Sequence, residues 1–319
     1  MLWAVVIIAA TIFVAYANGA NDNFKGVATL FGSGTADYGK ALGWATVTTL
    51  LGSLCAFFWA GKLVKAFSGK GLVPDALVAS PAFMAAVIFG AALTVFLASK
   101  TGIPISTTHS LTGALFGVGF TAIGRNLVFS SLGKNFFMPL LLSPFIALGL
   151  TLVIYLFTKV YSGKMLGVPV QKILDSLHFL SAGAVSFARG LNDTPKIVAL
   201  SVVFGALGLG WNIGLVAAFM ALGGVFGAKK VAETMSRKIT AINHGQGLTA
   251  NLVTAFLVIF ASRLGVPVST THVSCGSLFG IGLANGQARW KMISGIFGAW
   301  VLTLPVSAIL SGAIYWVIR

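Results

Sequence analysis

Charge and cysteine are what this sequence has least of. Only 8% of its 319 residues are Asp, Glu, Lys or Arg, about a third of the roughly 25% usual in a soluble domain, which excludes a soluble enzyme. Two cysteines, Cys55 and Cys275, both lie inside apolar stretches. They exclude a disulfide framework or a thiolate metal site and read as packing residues. Acidic residues number six against 21 Lys and Arg, a formal charge of +15. The cations stand singly or in small loop clusters and share no face, so nucleic acid is not the expected partner. Loops beside anionic lipid headgroups suit them better, and Lys229, Lys230, Arg237 and Lys238 form the clearest cytoplasmic marker.

What is abundant is apolar: 57% of the residues, with a mean hydropathy of +0.96 and 39 glycines set inside the apolar runs. A bilayer core of about 30 Å takes roughly 20 apolar residues per helix. The chain therefore reads as an all-α polytopic membrane protein of about ten to twelve full or partial transmembrane helices. Runs at 2–18, 40–61, 76–98, 136–158, 211–228, 247–261 and 292–317 are long enough to cross. Segments 24–33, 103–123, 175–190, 195–209 and 266–284 are shorter or broken by Gly and Pro, and predict half-helices or re-entrant hairpins. The first run, Leu2 to Ala17, has no basic leader and is read as a retained helix rather than a cleaved signal.

Near the midpoint, residues 159–172 form the most polar segment. They divide the chain into a first repeat at 1–159, a linker at 160–174 and a second repeat at 175–319. Residues 98–119 align on 261–282 without gaps, with 13 identities in 22 positions. Gly19-Ala20-Asn21-Asp22 corresponds likewise to Gly190-Leu191-Asn192-Asp193. Duplicated halves with broken helices at matching places are the mark of a secondary transporter whose site lies between the repeats.

Four acidic residues (Asp37, Asp75, Asp175 and Glu233) fall in loops or at helix edges, leaving Asp22 and Asp193 in apolar surroundings. A carboxylate at membrane depth costs about 2.5–3.5 kcal/mol or more, so each needs a partner. With Asn21 and Asn192, and more weakly Asn23 and Thr194, they form a set of hard oxygens suited to a small alkali cation. Pairing of the two aspartates with Lys25 and Lys196, three positions further on in each copy, is the packing alternative. The other repeated element, Ser106-Thr107-Thr108-His109 and Ser269-Thr270-Thr271-His272, follows Gly-Ile-Pro and Gly-Val-Pro and reads as a helix start. Free backbone N–H groups and hydroxyls converge there on an anion, although ordinary capping by Ser and Thr explains one copy alone. Each histidine is expected to hold its half-helix by hydrogen bonds, and no transition-metal site is expected. Gly34 to Lys40 resembles a phosphate loop, but Ala41 stands where it needs Ser or Thr, so nucleotide binding is rejected.

These elements together, GANDNFKG (19–26), GLNDTPK (190–196), GIPISTTH (102–109) and GVPVSTTH (265–272), resemble the inorganic phosphate transporter (PiT) family over nearly the whole chain. The resemblance implies inverted repeats and symport of inorganic phosphate with sodium or protons across a prokaryotic cytoplasmic membrane. On it, Asp22 and Asp193 match the family's essential aspartates, and Ser106, Thr107, Thr108, Ser269, Thr270 and Thr271 match its substrate segments. Some members carry glutamates where Thr49 and Asn251 stand here, and their absence tilts the coupling towards Na⁺, bound by Asn21, Asp22, Asn192 and Asp193, with no other cofactor. Two bare aspartates repel phosphate in low dielectric, so the cation is expected to bind first. Proton coupling, sulfate or another tetrahedral oxyanion, and an anion channel remain as alternatives. A homodimer fits this kind of transporter, although no residue specifies one.

Overall fold

The computed structural model describes residues 1–59, 61–162, 168–205 and 207–319, and among these no β-strand forms. The first half contains α1 (Leu2–Asp22), α2 (Ala28–Ser33), α3 (Tyr38–Trp59), α4 (Gly61–Phe67), α5 (Asp75–Val78), α6 (Pro81–Thr101), α7 (Thr107–Ile123), α8 (Phe129–Leu132) and α9 (Met138–Ser162). The second contains α10 (Val168–Phe204), α11 (Leu209–Gly227), α12 (Lys229–Glu233), α13 (His244–Leu264), α14 (Thr270–Asn285) and α15 (Trp290–Ile318). The expected linker at 160–174 falls partly outside the described residues.

Among the described residues, seven helical stretches are long and apolar enough to cross a membrane, and each overlaps one of the seven long runs in the sequence. Two of the expected broken segments need correction. The segments 175–190 and 195–209 are not separate pieces: α10 runs unbroken to Phe204 with Pro195 inside it. A proline removes one backbone N–H, but a helix packed among other helices can satisfy the freed carbonyl without breaking. Only the first copy breaks beside its aspartate, where α1 ends at Asp22 and a 3-10 turn, Asn23–Gly26, leads towards α2.

The helices pack across the halves. α3 lies on α10 and α11 on α1, while α9 packs on α14 and α15 on α7. Lipid supplies no hydrophobic drive between spans, so close backbone approach through small residues carries the contact. Gly19 and Gly190, equivalent in the two copies, show why: a Cβ at Gly19 would overlap the Met220 carbonyl, and one at Gly190 the Thr49 carbonyl. These contacts bring the Asn-Asp motifs of α1 and α10 into the centre of the molecule. α6 and α7 form a hairpin with its tip at Gly102–Ser106, and α13 and α14 form a second with its tip at Gly265–Ser269. Both hairpins turn on a glycine with positive φ, 78° at Gly102 and 77° at Gly265, a region that a side chain rarely adopts.

Candidate functional site

Each hairpin tip is a helix start of the expected kind. Ser106 caps α7 by accepting from the His109 N–H at 3.1 Å, and Ser269 caps α14 by accepting from the His272 N–H at 3.2 Å. The tips are pinned by the asparagines. Asn21 donates to the Ile103 carbonyl and accepts from the Ile105 N–H, both at 3.1 Å. Asn192 donates to the Val268 carbonyl at 3.2 Å and to the Thr270 hydroxyl at 3.1 Å.

Both tips meet at the aspartates, and all six Ser and Thr residues of the two triplets are buried. Thr108 donates to the Val268 carbonyl (3.3 Å) and Thr271 to the Ile105 carbonyl (3.0 Å), so each triplet touches the opposite hairpin. Thr107 accepts from the Asn18 amide at 2.9 Å and donates to Asp22 at 3.3 Å. Asn18 also donates to Asp22 and Asp193, each at 3.2 Å, and ties the two carboxylates to one amide.

Neither aspartate lacks a cation. Lys25 pairs with Asp22 and also reaches Asn21 Oδ1 (2.8 Å), the Ile105 carbonyl (2.8 Å) and Thr271 Oγ1 (2.7 Å). Lys196 mirrors it, with Nζ 3.5 Å from Asp193, 2.7 Å from Thr108 Oγ1 and 2.6 Å from the Val268 carbonyl. The lysine pairing weighed as a packing alternative is therefore present in both copies. Each ammonium also bonds a threonine of the opposite triplet, which simple local packing does not require.

A third buried cation, Arg189, was missed in the sequence. Its Nε lies 3.8 Å from Asp193, and its terminal nitrogens donate to the Asn18 side-chain oxygen, to Asn23 (3.0 Å) and to Thr49 (3.3 Å). The signal was available: Arg189 stands in an apolar run directly before Gly190, where an unexplained charge is itself a site hypothesis. Three buried cations face two carboxylates, so the cluster carries one formal positive charge in excess.

Asn23 and Thr194 bond neither ammonium group, although Asn23 accepts from Arg189. Asn23 donates to Thr46 at 2.9 Å and Thr194 to Ser53 at 2.8 Å, so both bind α3. Asn251 shares hydrogen bonds with Thr29 (2.9 and 3.1 Å) and lies apart from this centre. The histidines pack with ring centroids 4.3 Å apart. His272 meets the Leu140 carbonyl at 3.2 Å, whereas His109 Nδ1 has no partner, so only one of the two expected anchors forms through the ring.

The profile of the phosphate transporter family matches residues 18–169 and again 164–311. A protein of Rhizobium meliloti described as a "Probable low-affinity inorganic phosphate transporter" is 30% identical, over 97% of this chain and 95% of its own. A sulfate permease of Bacillus subtilis is 29% identical over 94% of this chain and 85% of its own. A solved structure titled "The sodium-dependent phosphate transporter" has the same fold, with a TM-score of 0.89 at 21% identity, covering 100% of this chain and 99% of that one. Matched in both halves, this multi-pass membrane protein belongs to the phosphate transporter family and is a transporter, not an enzyme.

Proposed function

We propose that the chain is a secondary active importer of inorganic phosphate, working by alternating access between two repeats of inverted topology. The observation that carries the reading is the meeting of both Ser-Thr-Thr helix starts on a buried cluster with an excess positive charge. Free N–H groups, hydroxyls and ammonium groups are the donors a tetrahedral oxyanion needs. Inversion is supported by counting. If α6–α7 and α13–α14 are taken as re-entrant hairpins, although α6 and α13 are each long enough to cross, and α10 is taken as a crossing, each half keeps three crossings (α1, α3, α9 and α10, α11, α15), and an odd number inverts the second half. With the four hairpin arms there are ten full or partial spans. The division at 160–174 then separates the repeats.

Basic clefts support an anionic cargo. Lys62, Lys65, Lys70 and Lys134 line a cavity of about 400 Å³ at the Gly265–Pro267 tip. Lys238, Arg289 and Lys291 line one of about 550 Å³ at the Gly102–Pro104 tip. Such clefts raise the local concentration of anions.

For the coupling ion, the sodium reading places Na⁺ at Asn21, Asp22, Asn192 and Asp193. It draws on their hard oxygens and on the sodium dependence named for the structural neighbour. A second reading, proton coupling, is favoured by the lysine nitrogens already bonded to those oxygens. Reconstitution in liposomes separates them: phosphate uptake is measured with an imposed Na⁺ gradient, and then with a pH gradient in sodium-free buffer. Unlabelled sulfate as competitor decides the oxyanion, since sulfate has no proton to donate to Asp22 or Asp193 and should compete poorly. Uptake that neither saturates nor follows an ion gradient would mark a channel and defeat the proposal.

A further inference from the structure

We infer that Lys25 and Lys196 are tethered counter-cations that fill the two oxygen cages beside Asp22 and Asp193, so that this chain binds its oxyanion without sodium. The inference rests on the phosphate reading for its cargo but not for its geometry.

The Lys25 cage is made of a carboxylate, an amide oxygen, a backbone carbonyl and a hydroxyl, all within 2.8 Å of Nζ. That is the mixed, hard-oxygen set a free alkali ion would take. An ammonium has three protons for these four oxygens, so it is held as a compact charge rather than by directed bonds alone. The second cage repeats three of these four partners, with its carboxylate looser at 3.5 Å, while the Asn192 side-chain oxygen accepts from Ser262 instead. Thr108 takes the place of Thr271, the Val268 carbonyl that of Ile105, and Asp193 that of Asp22. Two lysines that recur at the same step after two aspartates, and end in the same kind of cage, form a built arrangement.

Three consequences follow. The carboxylates are neutralised by the chain itself, so the repulsion that called for a bound cation before phosphate is already cancelled. Each ammonium lies 2.7 Å from a threonine of the opposite Ser-Thr-Thr triplet, within a small displacement of an oxyanion held by those helix starts. Asp22 and Asp193 hold the lysines in place and do not act as ligands of a soluble ion.

The test uses the full chain in lipid nanodiscs with radiolabelled sodium and, separately, radiolabelled phosphate. The wild type is expected to show no saturable sodium binding and to bind phosphate equally in sodium and choline buffers. A Lys25→Met/Lys196→Met variant empties both cages and reverses the excess charge. It should gain saturable sodium binding, and its phosphate binding should become more than about tenfold stronger when sodium is present, as positive coupling between two sites requires. Saturable sodium binding to the wild type, lost in Asp22→Asn, would overturn the inference, as would a folded double variant that takes up no sodium. If the double variant does not fold, Lys25→Met alone and the wild-type sodium measurement decide the matter. Absence of phosphate binding in both buffers, with sodium still excluded from the wild type and admitted by the variant, would defeat the phosphate reading while upholding the tethered cations.

Discussion

The Arg189 guanidinium donates to the Asn18 amide oxygen, and these two residues stand at equivalent positions of the two copies, each directly before the glycine of its motif. One copy supplies a cation and the other a neutral amide. The pair therefore breaks the symmetry of an otherwise mirrored centre and leaves it with an odd charge. Asn18 is also the amide that bridges the two carboxylates, so Arg189 orients the group on which both aspartates depend.

Replacing Arg189 by Gln should leave Asp193 and Asn18 under-satisfied in a dry interior. Breaking a buried pair in this way costs about 3–5 kcal/mol. A marked drop in thermal stability is expected, together with weaker phosphate binding, because the excess positive charge is gone. Thermal unfolding in detergent and labelled phosphate binding measure the two effects. Unchanged phosphate binding in a folded variant would argue against the charge as the attraction.

Asp22→Asn acts in the opposite sense. Lys25 loses its carboxylate, and the cluster gains a further positive charge. Phosphate binding should be retained or tightened while transport falls by at least about tenfold, since the ammonium has lost the partner it returns to when cargo leaves. Parallel binding and uptake assays resolve the two. Loss of binding together with transport would restore a role for a bound cation at Asp22.

Capping and substrate binding can be separated within one triplet. Ser106→Ala removes an N-cap and should cost about 1 kcal/mol of stability. Thr108→Val removes a hydroxyl that Lys196 and the opposite hairpin share, and should weaken phosphate binding with a smaller change in melting temperature. Equal effects of both on binding would mean that Ser106 also contacts the anion.

Gly19→Ala and Gly190→Ala introduce a methyl group against the Met220 and Thr49 carbonyls. Neither carbonyl is a flexible side chain, so the helices must separate, at a cost of about 1–3 kcal/mol each. Both variants should unfold at lower temperature, and the same substitution at Gly43, which has nothing close to its missing Cβ, should have little effect.

Much of the architecture was legible in the linear pattern. Long apolar runs marked the seven helices long enough to cross, because a bilayer admits few other solutions, and the Ser-Thr-Thr motifs announced helix starts because Pro and hydroxyl residues suit that position. The continuity of α10 was not legible. Pro195 marks a break in most settings, and only the helices packed around it allow the chain to continue. Nor was the role of Asn23 and Thr194: both bond α3, and Asn23 also accepts from Arg189 of the central cluster.

By itself, the sequence determined that the chain lies in a membrane, that it is a duplication, and that Asp22 and Asp193 require partners, since burial of a charge demands one wherever the fold places it. Only the tertiary structure showed that Lys25 and Lys196, each three positions after its aspartate, also reach the opposite copy. Lys25 reaches Thr271 across 246 positions and Lys196 reaches Thr108 across 88. Those contacts exist because the two hairpin tips meet, and spacing along either copy does not encode a meeting between them.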